Sequence, residues 1–530
     1  MSSGVLVKTL IDLGADVNAQ TAPRKEVPLV FAASSNNYMV ARLLLEHGTD
    51  ANIRDQWGKT PLYKAVMQKN VPLVKLLLEN KADANIQELR GETPLHKAAM
   101  LEDLPVVKQL LENKAEANSR DLWGETPLHK ATMLEDLPLV KLLIENKADA
   151  NIQDQFGNTP LHEAVMLEDL PVVKLLLENK ADAHIVDLQG ETPLHKAVRR
   201  RRRSEPLVKQ LLENKADANM RDQEGETPLH KAVMLENLLL VKLLLENKAD
   251  ANIRDQKGET PLHKAVMCRN EPLVKLLLEN KADANIRDQF GNMPLHEAVM
   301  LGDLPLVKLL LENKADANIR DQKRETPLHK AAMLEDLPLV KLLLENKADA
   351  NIRDQKRETP LHKALMLEDL PLVKLLLENN ADANVQDQFG NMPLNEAVML
   401  EDLPLVKLLL ENKADANIQD LRGETPLHKA VRRRTRRNEP LVKLLLENKA
   451  DANIRDQEGE TPLHKAVMLE DLPLVKLLLE NKADANIVDL RGETPLHKAV
   501  RRMSEPLVKQ FLENKADANI RDQKRENTST

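Results

Sequence analysis

The residues that first invite a chemical reading are the histidines. Twelve of the 14, among them His96, His162, His263 and His497, stand fourth in a recurring element that reads TPLH in most of its occurrences. Such a column could be a metal ladder or a row of general bases. Distance argues against the metal: packed helices lie about 8–10 Å apart, whereas a metal holds nitrogen ligands at about 2 Å. The column therefore reads as structural. His47 and His184 stand apart from it.

The residue after each histidine forms a second column, mostly lysine, as at Lys64, Lys130, Lys264, Lys330 and Lys498. Alone it would be a basic groove for an acidic partner. Five positions earlier, however, a glutamate recurs (Glu125, Glu259), and where it becomes asparagine (Asn158, Asn292, Asn391) the lysine becomes Glu163, Glu297 and Glu396. The two positions change together, so the columns are read as neutralising each other. Exposed pairs of that kind contribute only about 0–1 kcal/mol each. The expectation is a solvated, self-compensated face, with nucleic acid disfavoured as a partner.

A third column is the most variable: Trp57, Arg90, Trp123, Phe156, Phe290 and Phe389 are its candidate contact residues, and five of the chain's nine aromatics fall in it. Aromatic side chains on exposed turns beside charge are typical anchors for protein contacts. Arginine runs form the last candidate, a basic patch: Arg199, Arg200, Arg201, Arg202 and Arg203, then Arg432, Arg433, Arg434, Arg436 and Arg437, then Arg501 and Arg502. Consecutive like charges stay solvated, so these read as widened turns, as import signals or as a site for an acidic partner. There is no phosphate loop, no GxSxG, no HExxH and no Cys–His pairing. No enzyme, cofactor or metal is expected.

The elements that position these columns repeat with a fixed period. The proline of TPLH recurs every 33 residues from Pro28 to Pro495, except for steps of 35 after Pro193 and 36 after Pro426. A unit that short cannot bury its own apolar face, so the copies must stack. Thr461 before Pro462 reads as an N-cap with proline at the first helical position. Leu463, Ala466 and Val467 give that short helix one apolar stripe. A second helix starts after Asp471, its own cap, and carries a broader apolar face over Leu474–Leu479. Of the 29 prolines, 15 open the first helix, 13 sit in the first turn of the second, and only Pro23 is left over. The glycine near residue 492 predicts a tight hairpin-like turn, a finger, between copies.

TPLHKA, a VKLLLE helix and an ADAN loop at this spacing resemble the ankyrin repeat family. The resemblance implies an all-α fold, an α-solenoid of stacked helix-turn-helix repeats with hairpin-like finger loops. It also implies histidines that tie neighbouring copies by hydrogen bonds, and protein binding through finger tips and a concave face carrying the lysine column. Two departures stand out. The family's glycine after the second helix, present as Gly14 and Gly48, is lysine in later copies, as at Lys81, Lys482 and Lys515, and Asn380 once. The finger glycine becomes Arg324, Arg357 and Arg525.

The expected organisation is an N-terminal half-copy with a degenerate finger over residues 1–23. Fifteen copies then fill 24–520, beginning near residues 24, 57, 90, 123, 156, 189, 224, 257, 290, 323, 356, 389, 422, 458 and 491, before a polar stub at 521–530. Neither end shows a polar cap, so the chain reads as cut from a longer array. Net charge is −8 over 530 residues and aromatics are 2%, so no bulk attraction to nucleic acid or membrane follows and the core must be aliphatic. The single Cys268 precludes an intramolecular disulfide. With no secretory leader or apolar span, the expected setting is intracellular, cytoplasmic, or nuclear if the arginine runs act as import signals. The expected function is a monomeric, non-enzymatic scaffold for protein partners. The alternatives are an anion or nucleic-acid binder using the arginine runs and lysine column, and a spacer without a specific ligand.

Overall fold

The computed structural model describes residues 3–21, 27–200, 204–432 and 438–521. The described residues form 31 helices and no strand element. They divide into two compact units, residues 1–268 with 279–282, and residues 269–278 with 283–530. In each unit a helix opened by the periodic proline packs against a second helix of its own copy and against the equivalent helix of the next copy.

Local capping accounts for most of the helices. In Pro327–Met333 the Thr326 hydroxyl accepts from the His329 amide (3.4 Å), while the Thr326 amide donates back to His329 Nδ1 (3.1 Å). This is a capping box with histidine in the usual acidic place. The second helix, Leu337–Glu345, is capped by the Asp336 carboxylate accepting from Leu339 N (3.0 Å), with its proline in the first turn. Leu328, Ala331, Leu339, Val340 and Leu343 are all fully buried. Each buried leucine contributes about 1.5–3 kcal/mol, which offsets the near absence of aromatic rings from the core.

Two further ladders tie copy to copy, and neither was visible in the sequence reading. The last asparagine of most ADAN loops bridges to the next loop. Asn318 Oδ1 accepts from Asp349 N (2.7 Å) and its Nδ2 donates to the Lys347 carbonyl (3.0 Å). His184 occupies this place once and turns instead onto Asp182 (2.9 Å). The fingers are joined tip to tip, as where Gln355 N donates to Lys323 O (2.9 Å) and Leu188 N to Phe156 O (2.9 Å). One such bond per finger is too few to make a sheet.

The residue after the second helix is left-handed throughout: φ is 63° at Lys81, 66° at Lys482 and 58° at Lys515, as at Gly14 and Gly48. The turn between the two helices is left-handed as well, usually at glutamate, as at Glu335 (φ 56°); only Gly302, in place of that glutamate, hinted at it. Fingers add a tighter constraint. A Cβ on Gly91 would stand 2.8 Å from Leu122 N of the next finger. Arg324 (φ 61°) and Arg357 (φ 63°) carry a Cβ in that place; Arg525 lies outside the described residues. Arg324→Gly and Arg357→Gly are each expected to stabilise their copies by about 1 kcal/mol. Hydrogen exchange at Gln355 and Gln388 reads this directly, since both amides bond to the preceding tip; unchanged exchange would refute it.

Candidate interaction surface

Nearly every finger is built on one aspartate, Glu88 taking its place once. Asp187 N donates to Glu191 O (3.0 Å), and Asp187 Oδ1 accepts from Gln189 N (2.8 Å) and Glu191 N (2.9 Å). The second carboxylate oxygen faces the lysine column. Ten of those lysines place Nζ 2.5–3.0 Å from the finger aspartate of their own copy, and their side chains are only 8–18% exposed. Most also reach the covarying glutamate, as Lys196 reaches Glu191 (2.9 Å) and Lys231 reaches Glu226 (2.5 Å). The face is therefore self-compensated, as its covariation indicated, but it is not solvated. The sequence reading missed the aspartate, whose signal is its recurrence nine residues before the lysine, broken only by Glu88 before Lys97. Burial works against the charge on these lysines, but hydrogen bonds to the carboxylates outweigh it and hold Lys264 and Lys330 above their ordinary value.

The histidines behind this row are closed to chemistry. His329 Nδ1 is held by Thr326, so Nε2 carries the proton and donates to the Glu358 carbonyl of the next copy (3.2 Å). Burial keeps them neutral, pushing His129, His162, His230, His296 and His464 down to about 4. Among the described residues no group of histidine, cysteine and carboxylate side chains could hold a metal.

The tips divide by what lies beneath them. Trp57 and Trp123 cover Lys64 and Lys130, each ammonium 5.4 Å from the ring centroid, and are 44% and 37% exposed. Phe156, Phe290 and Phe389 stand where the column carries Glu163, Glu297 and Glu396, and are 57–61% exposed. A ring face is negative and is attracted to an ammonium but not to a carboxylate, so these rings stay open. Arg90 is an exposed tip.

The arginine runs begin inside helices, not in the turns expected for them. Arg199, Arg432 and Arg501 each end a first helix and fold back onto a finger glutamate, at 2.8 Å from Glu191 for Arg199 and 3.3 Å from Glu424 for Arg432, with Arg501 on Glu493. Arg200 approaches Glu168 (3.9 Å) and Arg502 approaches Glu470 (3.6 Å). Arg201, Arg202, Arg203, Arg433, Arg434, Arg436 and Arg437 lie outside the described residues.

Comparison with known proteins agrees with this architecture. A sequence model described as ankyrin repeats (3 copies) matches residues 2–88, 65–154, 129–205, 200–288, 295–387, 364–456 and 434–522, and one described as ankyrin repeats (many copies) matches 269–311. The chain belongs to the ankyrin repeat family. A search of curated proteins gives no significant match. The crystal structure of the ankyrin repeat domain of Bcl-3, a member of the IkappaB protein family, matches 42% of this chain and 99% of its own at 31% identity, with a TM-score of 0.38. That score is too low to carry an argument. Ankyrin repeats in general are protein–protein interaction modules. No described helix is long and apolar enough to cross a membrane.

Proposed function

We propose that this chain is a non-enzymatic scaffold that binds other proteins through its finger tips and the adjoining face of the first helices. The observation that carries the reading is the set of exposed aromatic tips on fingers fixed by aspartate and tip-to-tip bonds. Side chains held in place before contact lose little ordering entropy on docking. Binding of phosphate-rich partners by the lysine column is disfavoured, because its ammonium groups are already clasped by carboxylates.

The test is capture of partners by the full chain and by a Trp57→Ala, Trp123→Ala, Phe156→Ala triple variant. The triple variant is expected to weaken capture by about tenfold or more, as loss of aromatic anchors does. Capture should depend only mildly on salt, since a steep fall is the mark of phosphate contacts. Unchanged capture by the variant removes the reading.

A further inference from the structure

The copy spanning residues 387–411 shares a column glutamate with the copies carrying Glu163 and Glu297, but it alone puts asparagine in the histidine's place. Its histidine is Asn395, which is 1% exposed and has no partner for either side-chain polar atom. Its column residue is Glu396, and Glu396 Oε2 is also buried without a hydrogen bond. Beside it, Asp387 carries the usual finger bonds from Phe389 N (2.7 Å) and Asn391 N (2.8 Å), but no lysine bridges it. Only the Asn391 amide approaches its outer oxygen, at 3.3 Å. The neighbouring cations are engaged elsewhere. Lys363 is on Asp354 (3.0 Å) and Glu358, and Lys429 on Asp420 (2.7 Å) and Asn391 Oδ1 (2.8 Å).

Asp387, Asn391, Asn395 and Glu396, with Glu358 and the engaged Lys429, line an open cleft of about 470 Å³ whose apolar wall is Phe389, Met366, Met399 and Leu400. We propose that this cleft receives a lysine or arginine side chain of a protein partner, its charge between Asp387 and Glu396 and its methylenes against Phe389 and Met399. The chain supplies its own template for that occupant: in the two copies before and the second copy after, an internal lysine lies between the same aspartate and a glutamate. Here that lysine is missing, its carboxylate partner is kept, and a second carboxylate stands in its place. Burial, then Asp387 and Glu358, hold the Glu396 carboxyl up at about 8, with Lys363 acting the other way, which is the signature of a carboxylate short of a cation. An incoming cation finds acceptors for its N–H groups in Asp387, Glu396 and the Asn395 side-chain carbonyl.

The inference rests on the protein-binding reading but is tested without any partner. The full chain, labelled with ¹³C at its methionine methyls, is titrated with Nα-acetyl-lysine methylamide, Nα-acetyl-arginine methylamide and the uncharged Nα,Nε-diacetyl-lysine methylamide. The Met366 and Met399 methyl signals are expected to move with one or both cations, saturating at about 1–10 mM as befits so small a ligand, and not with the uncharged analogue. Glu396→Lys, which fills the cleft from within, should abolish the shifts. Glu396→Gln, which keeps the shape, should weaken them about tenfold. Methyl signals that stay still, or that respond equally to the uncharged analogue, overturn the proposal. Because the probe is a single side chain, failure here leaves the partner-capture result intact, and failure of capture leaves this one intact.

Discussion

Acidification from about pH 6.5 to about pH 4 is expected to unfold this chain, well before its carboxylates alone would require it. Ten of the periodic histidines are held below their ordinary value by burial. Five of them lie at about 4 against 6.5 when unfolded. Between those values the unfolded chain binds more protons than the folded one, so stability falls as pH falls. A gap of that size corresponds to about 3 kcal/mol per histidine once pH is below both values. Protonation of Nδ1 also breaks the bond it accepts from the capping threonine amide, so each event uncaps a helix as well as charging a core.

The carboxylates held low by their lysines, such as Asp255 and Glu460, act in a separate window. Their stabilisation is present above the ordinary carboxylate value and is lost only as pH falls further, through their depressed values. Helicity followed by circular dichroism, together with hydrogen exchange at several pH values, separates the two. A transition centred between about 4 and 6 is expected. Full helicity and undiminished protection at pH 4 would show that the histidines are not the acid-labile element.

Asn395→His is expected to be the most stabilising single change in the chain. The native asparagine leaves two buried polar atoms without partners, and each such atom costs about 1–3 kcal/mol. A histidine there would regain both bonds made by its counterparts. The residue before Pro393 is Met392, not threonine, but this does not prevent it: in the copy with Met293, the methionine amide still donates to His296 Nδ1 (3.3 Å) and Nε2 still donates to the next copy (3.3 Å). The gain, about 1–3 kcal/mol in total after the asparagine's own packing is lost, should be local. Long arrays do not unfold as one unit. Hydrogen exchange over Pro393–Leu400 and Leu403–Glu411 is therefore the sensitive readout. Protection that stays level or drops in the variant would mean that Asn395 has found partners in solution, and would weaken the case for an unfilled cleft beside it.

Much of this protein was legible before any coordinates. Its helices, caps and period rest on residues three or four positions apart: Thr326 with His329, Asp336 with Leu339, and the prolines that pre-set both helix starts. Interactions that short are set by local chemistry, so the TPLH and LPLVKLLLE segments declare themselves. The charge coupling between Glu125 and Lys130 was legible for the same reason, because it spans five residues and leaves covariation among the copies.

Other features were settled only once copies leaned on one another. Asn318 finds its partners 29 and 31 residues away, and His329 finds its carbonyl 29 away. The lysine column proved buried because finger and helix close over it, although its composition reads as solvent-facing. Tryptophan and phenylalanine tips, indistinguishable as types in a string, part company over the charge that stacking sets beneath each ring. The periodic pattern states what each copy expects to find at its flanks. Only the packed array shows that at Asn395 and Glu396 those expectations go unmet, because an unsatisfied buried group exists only when burial has removed the water that would have satisfied it.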